Sequence, residues 1–235
     1  MNPTKVSVIL PTYNEAEGIV GFINRTKSYI EKENVEYEIL VIDDDSPDGT
    51  AEIIRREFKD MPQIRCLVRK NERGLASAIG YGIQNSLYDA LFVLNADGNQ
   101  DPAYFPIFYN LSKYYDVVSG SRFIWGGGMD GSRFRYWGSY FFNVFLRIIT
   151  GIRVRDNTSG FVFFKRHHLD GLDLKKTYRG FGEYYIDVIR HFQRKKLSLI
   201  EIPVIYPERK GGKSKMKFSK TIFTYFWRAI QARFK

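Results

Sequence analysis

Short runs of apolar, largely β-branched residues alternate through the first half of the chain with longer stretches in which apolar residues return every three or four positions. Residues 6–10 (Val-Ser-Val-Ile-Leu) form the first run, closed by Pro11. Residues 15–32 follow, with Ile19, Phe22, Ile23, Thr26 and Ile30 on one face, which is the spacing of an amphipathic helix. The strand pattern returns at residues 38–42, 64–68, 90–94 and 116–120, and the helical one at 50–58 and 74–87. Residues 90–94 are apolar without a break, which predicts a strand buried on both faces. This alternation predicts a doubly wound, mostly parallel α/β sheet. Ligands of such sheets bind beyond the carboxyl ends of the strands, so the loops there are the place to look for chemistry. After Gly120 the pattern loosens. Residues 121–131 are glycine-rich, 133–149 mix aromatics with arginines, and strands at 160–165 and 197–206 flank a helix at 182–194. No linker or internal repeat divides the chain.

The loops carry acids and amides. They read Pro11-Thr12-Tyr13-Asn14-Glu15, Asp43-Asp44-Asp45-Ser46-Pro47-Asp48-Gly49 and Asn95-Ala96-Asp97-Gly98-Asn99. Neither GxGxxG after the first strand nor GxxxxGK[ST] occurs, which argues against dinucleotide dehydrogenases and P-loop NTPases. Acidic loops suit the hydroxyls and amides of a nucleotide, with a divalent ion shielding its phosphates. Asp48-Gly49 is the expected turn into the helix at Thr50. Three successive acids before it exceed what a cap needs, so at least one is expected to meet a ligand.

Charge changes the picture at one end. The formal net charge is +10, and residues 209–235 hold nine Lys and Arg and no acid, leaving residues 1–208 at +1. Nucleic acid, an anionic membrane or a phosphorylated substrate could each answer that tail, as could plain solvation. Nucleic acid is disfavoured because no helix-turn-helix, zinc or aromatic-ribbon pattern accompanies it. The single cysteine, Cys66, lies in an apolar run and reads as a buried strand thiol in a reducing compartment. No signal peptide is visible, and the longest greasy stretch, 136–149, contains Arg147 and is short of the about 20 apolar residues of a membrane span. His167, His168 and His191 lack the spacing of a zinc site.

Taken in order, these motifs resemble the family 2 inverting nucleotide-sugar glycosyltransferases of GT-A fold, and more narrowly the dolichol- or polyprenol-phosphate mannose synthases. The first two loops are shared by many such transferases. Gly120-Ser121-Arg122-Phe123, Arg135 followed by Ser139, Thr158-Ser159-Gly160-Phe161 and Arg209-Lys210-Gly211-Gly212-Lys213-Ser214-Lys215 select the narrower group. The resemblance implies a Rossmann-like GT-A catalytic domain over residues 1–217, followed by a basic amphipathic helix at 218–235. It implies donor binding by Pro11, Tyr13, Glu15, Asp43, Asp45, Asn95 and Asp97, and catalytic roles for Asp97, Arg122 and Arg209. Mg²⁺ or Mn²⁺ would be held by Asp97 with Asn99 and Asn95. The family motif there is Asp-Ala-Asp; Asn95 brings no charge, so weaker metal affinity is expected. Arg122, Arg135, Ser139, Arg209 and Lys215 are the implied ligands of the acceptor phosphate.

The implied reaction moves a hexose, mannose from GDP-mannose, to a polyprenyl or dolichyl phosphate with inversion. A phosphate monoester is already close to dianionic at pH 7, its second pKa being about 6. It can attack the anomeric carbon without a general base, and needs cations to approach a donor diphosphate. The alternatives are a UDP-sugar donor or a glycan hydroxyl acceptor, for which Glu183 would be the base, and a degenerate membrane-associated module. Glu183 otherwise reads as a solvated helix carboxylate. The lipid needs an apolar rest. Tyr136, Tyr140, Val144 and Ile148, with Phe141 and Phe145, form one helical stripe; Ile222, Phe223, Phe226 and Ile230 form another. Core packing or membrane contact fits the first equally, while the cationic face of the second favours the membrane. The expected location is the cytoplasmic face of a membrane, with adhesion direct or through a separate membrane subunit.

Overall fold

The computed structural model describes residues 4–207 and Tyr225. Seven strands form one sheet in the order β3-β2-β1-β4-β7-β5-β8. They are β1 (Lys5–Thr12), β2 (Glu36–Asp43), β3 (Ile64–Val68), β4 (Ala90–Val93), β5 (Val117–Ser121), β7 (Val162–Lys165) and β8 (Leu199–Pro203). β6 (Gly128–Met129) and β9 (Ile205–Tyr206) make a small second sheet. β1 pairs in parallel with β2 and β4, and β2 with β3. Strand order therefore reverses between β1 and β4, which opens a crevice at their carboxyl ends. β7 is the exception, antiparallel to both β4 and β5. Because it runs backwards, the loop that leads into it lies at the same sheet end as the loops that leave its neighbours.

The helices cover both faces. α1 (Ile19–Glu31), α2 (Thr50–Glu57) and α4 (Phe105–Leu111) lie on one side, and α3 (Leu75–Asn85), α5 (Arg133–Thr150), α6 (Leu174–Thr177) and α7 (Tyr184–Arg194) on the other. α1 buries Ile19, Phe22, Ile23, Thr26 and Ile30, as its periodicity predicts. It starts four residues later than the pattern suggests, because residues 15–18 form a turn in which Glu15 O accepts from Gly18 and Ile19. β4 is buried along its length. Phe92 packs edge-on against Phe105 and Phe108, at 5.3 and 5.1 Å between ring centres. α3 approaches β1 and β2 so closely that a Cβ on Gly82 would stand 2.6 Å from Ile9 Cγ2.

The structure departs from the sequence expectation at several elements. The strand expected at 197–206 splits: β8 joins β5, and after Val204 the chain leaves the main sheet to pair β9 with β6. α4 arises where no helix was expected, after a 3₁₀ turn at Pro102–Tyr104 whose N-cap is Asp101, its carboxylate accepting from Ala103 N–H. The helix expected at 218–235 lies outside the described residues apart from Tyr225. That ring is buried against Phe142 of α5, with centroids 5.6 Å apart. Its hydroxyl occupies the space a side chain on Gly182 would need.

Candidate functional site

Three loops meet at the crevice. The loop after β1 is laced to the loop after β2 by short polar bonds. Asp43, 1% exposed, accepts from Ser46 N–H at 2.9 Å, from Ser46 Oγ at 2.6 Å and from Thr12 Oγ1 at 3.2 Å. Ser46 Oγ accepts from Asn14 N–H, Thr50 Oγ1 from Glu15 N–H, and Asp48 from Ala16 N–H. Asp48 also accepts from Thr50 N–H and Oγ1, the turn its sequence predicts. Those bonds hold its carboxyl below the usual value against the opposing effect of burial. Asp43 is thus an internal organiser of the loop after β2. Asp45, at φ 54°, is the exposed member of the acidic run. Pro11 is buried, whereas Tyr13 and Glu15 are half-exposed at the loop's outer side.

Asp44 has a partner that the motif did not reveal. Arg69 grips it through Nε at 2.8 Å and Nη2 at 2.5 Å, both side chains being buried. The other Asp44 oxygen accepts from Gly74 N–H at 2.8 Å, and Arg69 also reaches Gly74 O and Ser77 Oγ. A buried pair of this kind, both Arg69 bonds on one Asp44 oxygen and the other oxygen held by Gly74 N–H, fixes geometry. Here it fixes the loop before α3, which brings the Arg73 guanidinium to 4.7 Å from the Tyr13 ring centre. Nothing in the run Arg69-Lys70-Asn71-Glu72-Arg73 distinguishes these two arginines from solvated ones. Their partners are set by tertiary structure.

The loop after β4 carries the oxygen donors. Asp97 accepts from Asn99 N–H at 3.1 Å and from Asn99 Nδ2 at 3.0 Å, so the two residues share one small cluster. Asn95 is anchored through its N–H, which donates to Gln100 Oε1 at 2.7 Å. Among the described residues no three His, Cys, Asp or Glu gather to hold a metal unaided. One carboxylate with neutral amide oxygens fits a hard divalent ion that brings phosphate ligands with its substrate.

Facing this loop, Arg122 follows β5 and is 9% exposed. Its Nε and Nη2 donate to the two oxygens of buried Asp156 at 2.7 and 2.8 Å, and Nη2 also reaches Thr158 Oγ1 at 2.7 Å. Burial opposes the Arg122 charge, but Asp156 more than offsets it and holds the guanidinium above its usual pKa. Burial likewise opposes the Asp156 charge, and Arg122 holds that carboxyl below its usual value. Arg122 therefore enters the site as half of an ion pair, its Nε and Nη2 held in the wall by Asp156 and Thr158. Arg135 is exposed and Ser139 half-buried on the first turns of α5. Arg209 and Lys215 lie outside the described residues. Glu183 corrects an expectation: it is buried, accepting from Phe181 and Gly182 N–H at 3.0 Å each.

The α5 stripe extends further into solvent than its pattern indicates. Phe134, Trp137, Phe141, Phe145 and Ile148 are exposed, from 42% at Phe145 to 88% at Phe134. Tyr136, Tyr140 and Val144 form the half-buried inner side. The three histidines lie elsewhere, at the opposite end of β4, where His167 meets Asp89. Cys66 has its thiol pushed up to about 12 by burial, an inert strand thiol as expected.

These features have counterparts among known proteins. The undecaprenyl-phosphate mannosyltransferase of Micrococcus luteus is 30% identical over 217 residues, covering 90% of this chain and 87% of that protein. The dolichol-phosphate mannosyltransferase of Pyrococcus furiosus is 31% identical over 225 residues, or 94% of this chain and 61% of that protein. Among solved structures, the glucosyl-3-phosphoglycerate synthase of Mycobacterium tuberculosis, in complex with Mn²⁺, uridine-diphosphate and phosphoglyceric acid, superposes with a TM-score of 0.67 at 16% identity. That match covers 97% of this chain and 78% of the other. The mannosyl-3-phosphoglycerate synthase of Rubrobacter xylanophilus gives 0.67 at 18% identity, over 98% and 74%. The fold is GT-A. The glycosyl transferase family 2 model matches residues 7–172, taking in the acidic loops, the oxygen-donor loop and the Arg122–Asp156 wall, and the chain belongs to that family.

Proposed function

We propose that this glycosyltransferase moves a hexose, mannose from GDP-mannose, to a polyprenyl phosphate with inversion at the anomeric carbon. The carrying observation is α5. It starts beside the Arg122 wall with Arg135 and Ser139, and it presents five exposed apolar side chains along about 21 Å, at 1.5 Å per residue. A phosphate at its start and a prenyl chain along its face suit that arrangement, and two of the proteins named above are an undecaprenyl-phosphate and a dolichol-phosphate mannosyltransferase.

Tyr13, Glu15, Asp45 and the Asp43-organised loop hold the nucleotide in this reading. A divalent ion, Mg²⁺ or Mn²⁺, would be held by Asp97 with Asn99 and Asn95, and it supplies charge neutralisation on the donor diphosphate. The acceptor phosphate oxygen attacks opposite the leaving diphosphate, so an α-linked donor gives a β-linked product. No side chain need remove a proton, and the burial of Glu183, bonded to its own loop, agrees with that. Arg135 and Ser139, with Arg209 and Lys215 beyond the described residues, bind the acceptor phosphate. Arg122 shapes the wall behind them. Catalysis is then a matter of positioning two anions and offsetting their charge.

The exposed stripe also supports adhesion to the membrane that contains the acceptor. No helix of the described residues is long and apolar enough to cross a membrane. We place the protein at the cytoplasmic face. The test is a screen of radiolabelled GDP- and UDP-sugars against a short polyprenyl phosphate, with and without Mn²⁺. Label should enter the lipid from GDP-mannose. Transfer from a UDP-sugar alone would move the donor assignment, and no transfer from any donor would overturn the reading.

A further inference from the structure

Gln100 follows the oxygen-donor loop and is 1% exposed. Its Oε1 accepts from Asn95 N–H at 2.7 Å. Its Nε2 donates to Ser159 O at 2.9 Å and to Tyr206 Oη at 3.0 Å. The amide orientation is set by its neighbours, since the Asn95 N–H can only donate and the Ser159 carbonyl only accept. Tyr206 lies on β9, 106 positions away in sequence. Its hydroxyl also donates to Ser159 O at 3.3 Å and meets Ser159 Oγ at 3.2 Å. The Arg122 guanidinium lies 4.8 Å from the centre of its ring. Burial pushes the Tyr206 phenol up to about 12, so it remains a neutral donor. From there Arg122, Asp156 and Thr158 continue the chain of bonds to Asn143 of α5, whose Nδ2 donates to Thr158 Oγ1 at 3.2 Å.

We propose that Gln100 and Tyr206 are positioning residues that brace the Asn95–Asn99 loop against the acceptor-side wall, and that this brace sets the loop's affinity for the donor's divalent ion. The inference rests on the metal placement proposed above. Three of the four bonding positions of the Gln100 amide are filled, by groups from three separate segments. A buried amide of this kind leaves several polar groups unpaired if it moves. The loop it holds contains a single acid, Asp97, so the spatial arrangement of the neutral donors matters more than it would with two carboxylates. Tyr206 lies outside the Asn95–Asn99 loop, and its hydroxyl reaches that loop through Gln100 and Ser159.

The experiment measures Mn²⁺ binding to the full-length protein in the presence of GDP, by the loss of the free-ion paramagnetic resonance signal. Tyr206→Phe keeps the ring and removes only the hydroxyl. It should weaken Mn²⁺ binding about five- to tenfold, a range typical of coupling through a network, while metal-free GDP binding and the unfolding midpoint stay close to wild type. Gln100→Ala should weaken Mn²⁺ binding at least as much, and the double variant should lose little beyond Gln100→Ala, because both changes cut one connection. Wild-type Mn²⁺ affinity in Tyr206→Phe, or fully additive losses, would overturn the brace and leave the functional reading intact. A wild-type protein that binds Mn²⁺ with GDP yet transfers no sugar to prenyl phosphate would overturn that reading and leave the brace. Absence of Mn²⁺ binding by the wild type would overturn both the metal placement and the brace.

Discussion

Asp156 carries no exposed surface, and its two oxygens take three bonds from Arg122 and two from Thr158. Removing its charge leaves a buried guanidinium without its counterion, a change that costs about 3–5 kcal/mol in comparable buried pairs. Asp156→Asn should therefore lower the urea unfolding midpoint sharply, whereas Asp45→Asn, at an exposed position, should leave it within about 0.5 kcal/mol. Equal midpoints for the two variants would remove Arg122 from the wall. Asp97 should behave differently, since the role proposed for it is to supply charge to a ligand rather than to the fold. Asp97→Ala should reduce turnover by at least about 10²-fold, as losing one electrostatic stabiliser does, with little change in unfolding; near-normal turnover would remove it from the metal site. Residue types at the site were legible from the motifs, but partners were not. Asp44 and Arg69 stand 25 positions apart, and Arg122 and Asp156 34. Only the fold shows that Arg122 is neutralised internally, or that Glu183 turns back onto its own loop.

α3 depends on Gly82 at its contact with the sheet. Gly82→Ala would put a methyl group 2.6 Å from Ile9 Cγ2 and 3.2 Å from Ile42 Cγ1. It should destabilise by about 1–3 kcal/mol through overpacking, outweighing the better helix propensity of alanine; a neutral or stabilised variant would show that α3 can shift outward at no cost. A second dependence joins the turn after β7 to α7. Burial lowers the pKa of His168, helped by His167 and Lys165 and opposed by Asp116 and Asp89. Burial lowers that of His191 too, with Lys195 and Arg194 acting in the same sense and the His168 carbonyl opposing. Both groups titrate below their ordinary value of 6.5 in the folded protein. The unfolded chain thus takes up protons first as pH falls, and stability present above 6.5 is lost below it. The unfolding midpoint should drop between pH 7.5 and 5.5, and the drop should shrink in His168→Gln; a higher midpoint at pH 5.5 would reverse the assignment. At this scale the sequence was most legible in the first half, where parallel strands and covering helices alternate with one period each. β7 runs antiparallel and the last strand changes sheets at Val204, and both follow from pairing partners that local periodicity does not encode.

The whole molecule presents one face that water does not explain. Phe134, Trp137, Phe141, Phe145 and Ile148 stand exposed along α5, with Arg133 and Arg135 exposed in its first turn. Exposed aromatics beside arginines suit the boundary between headgroups and acyl chains. The protein should bind vesicles of phosphatidylcholine and phosphatidylglycerol. Each Arg or Lys near an anionic surface contributes about 1 kcal/mol, screened over a Debye length of about 8 Å at physiological salt. Burial of one large apolar side chain contributes roughly 1.5–3 kcal/mol, which salt does not remove. Raising salt should therefore weaken binding without abolishing it. Replacing Phe141, Phe145 and Ile148 together by Ser should lower vesicle affinity by at least about 100-fold even at low salt, since three such burial terms are lost. GDP binding should not change in that variant, because the loops proposed to hold the nucleotide follow β1 and β2 and are separate from α5. Salt-reversible binding that survives the triple substitution would assign adhesion to the cationic residues of 209–235. Failure of the wild-type protein to bind any vesicle, with transfer to detergent-dispersed prenyl phosphate intact, would leave this face for a protein partner.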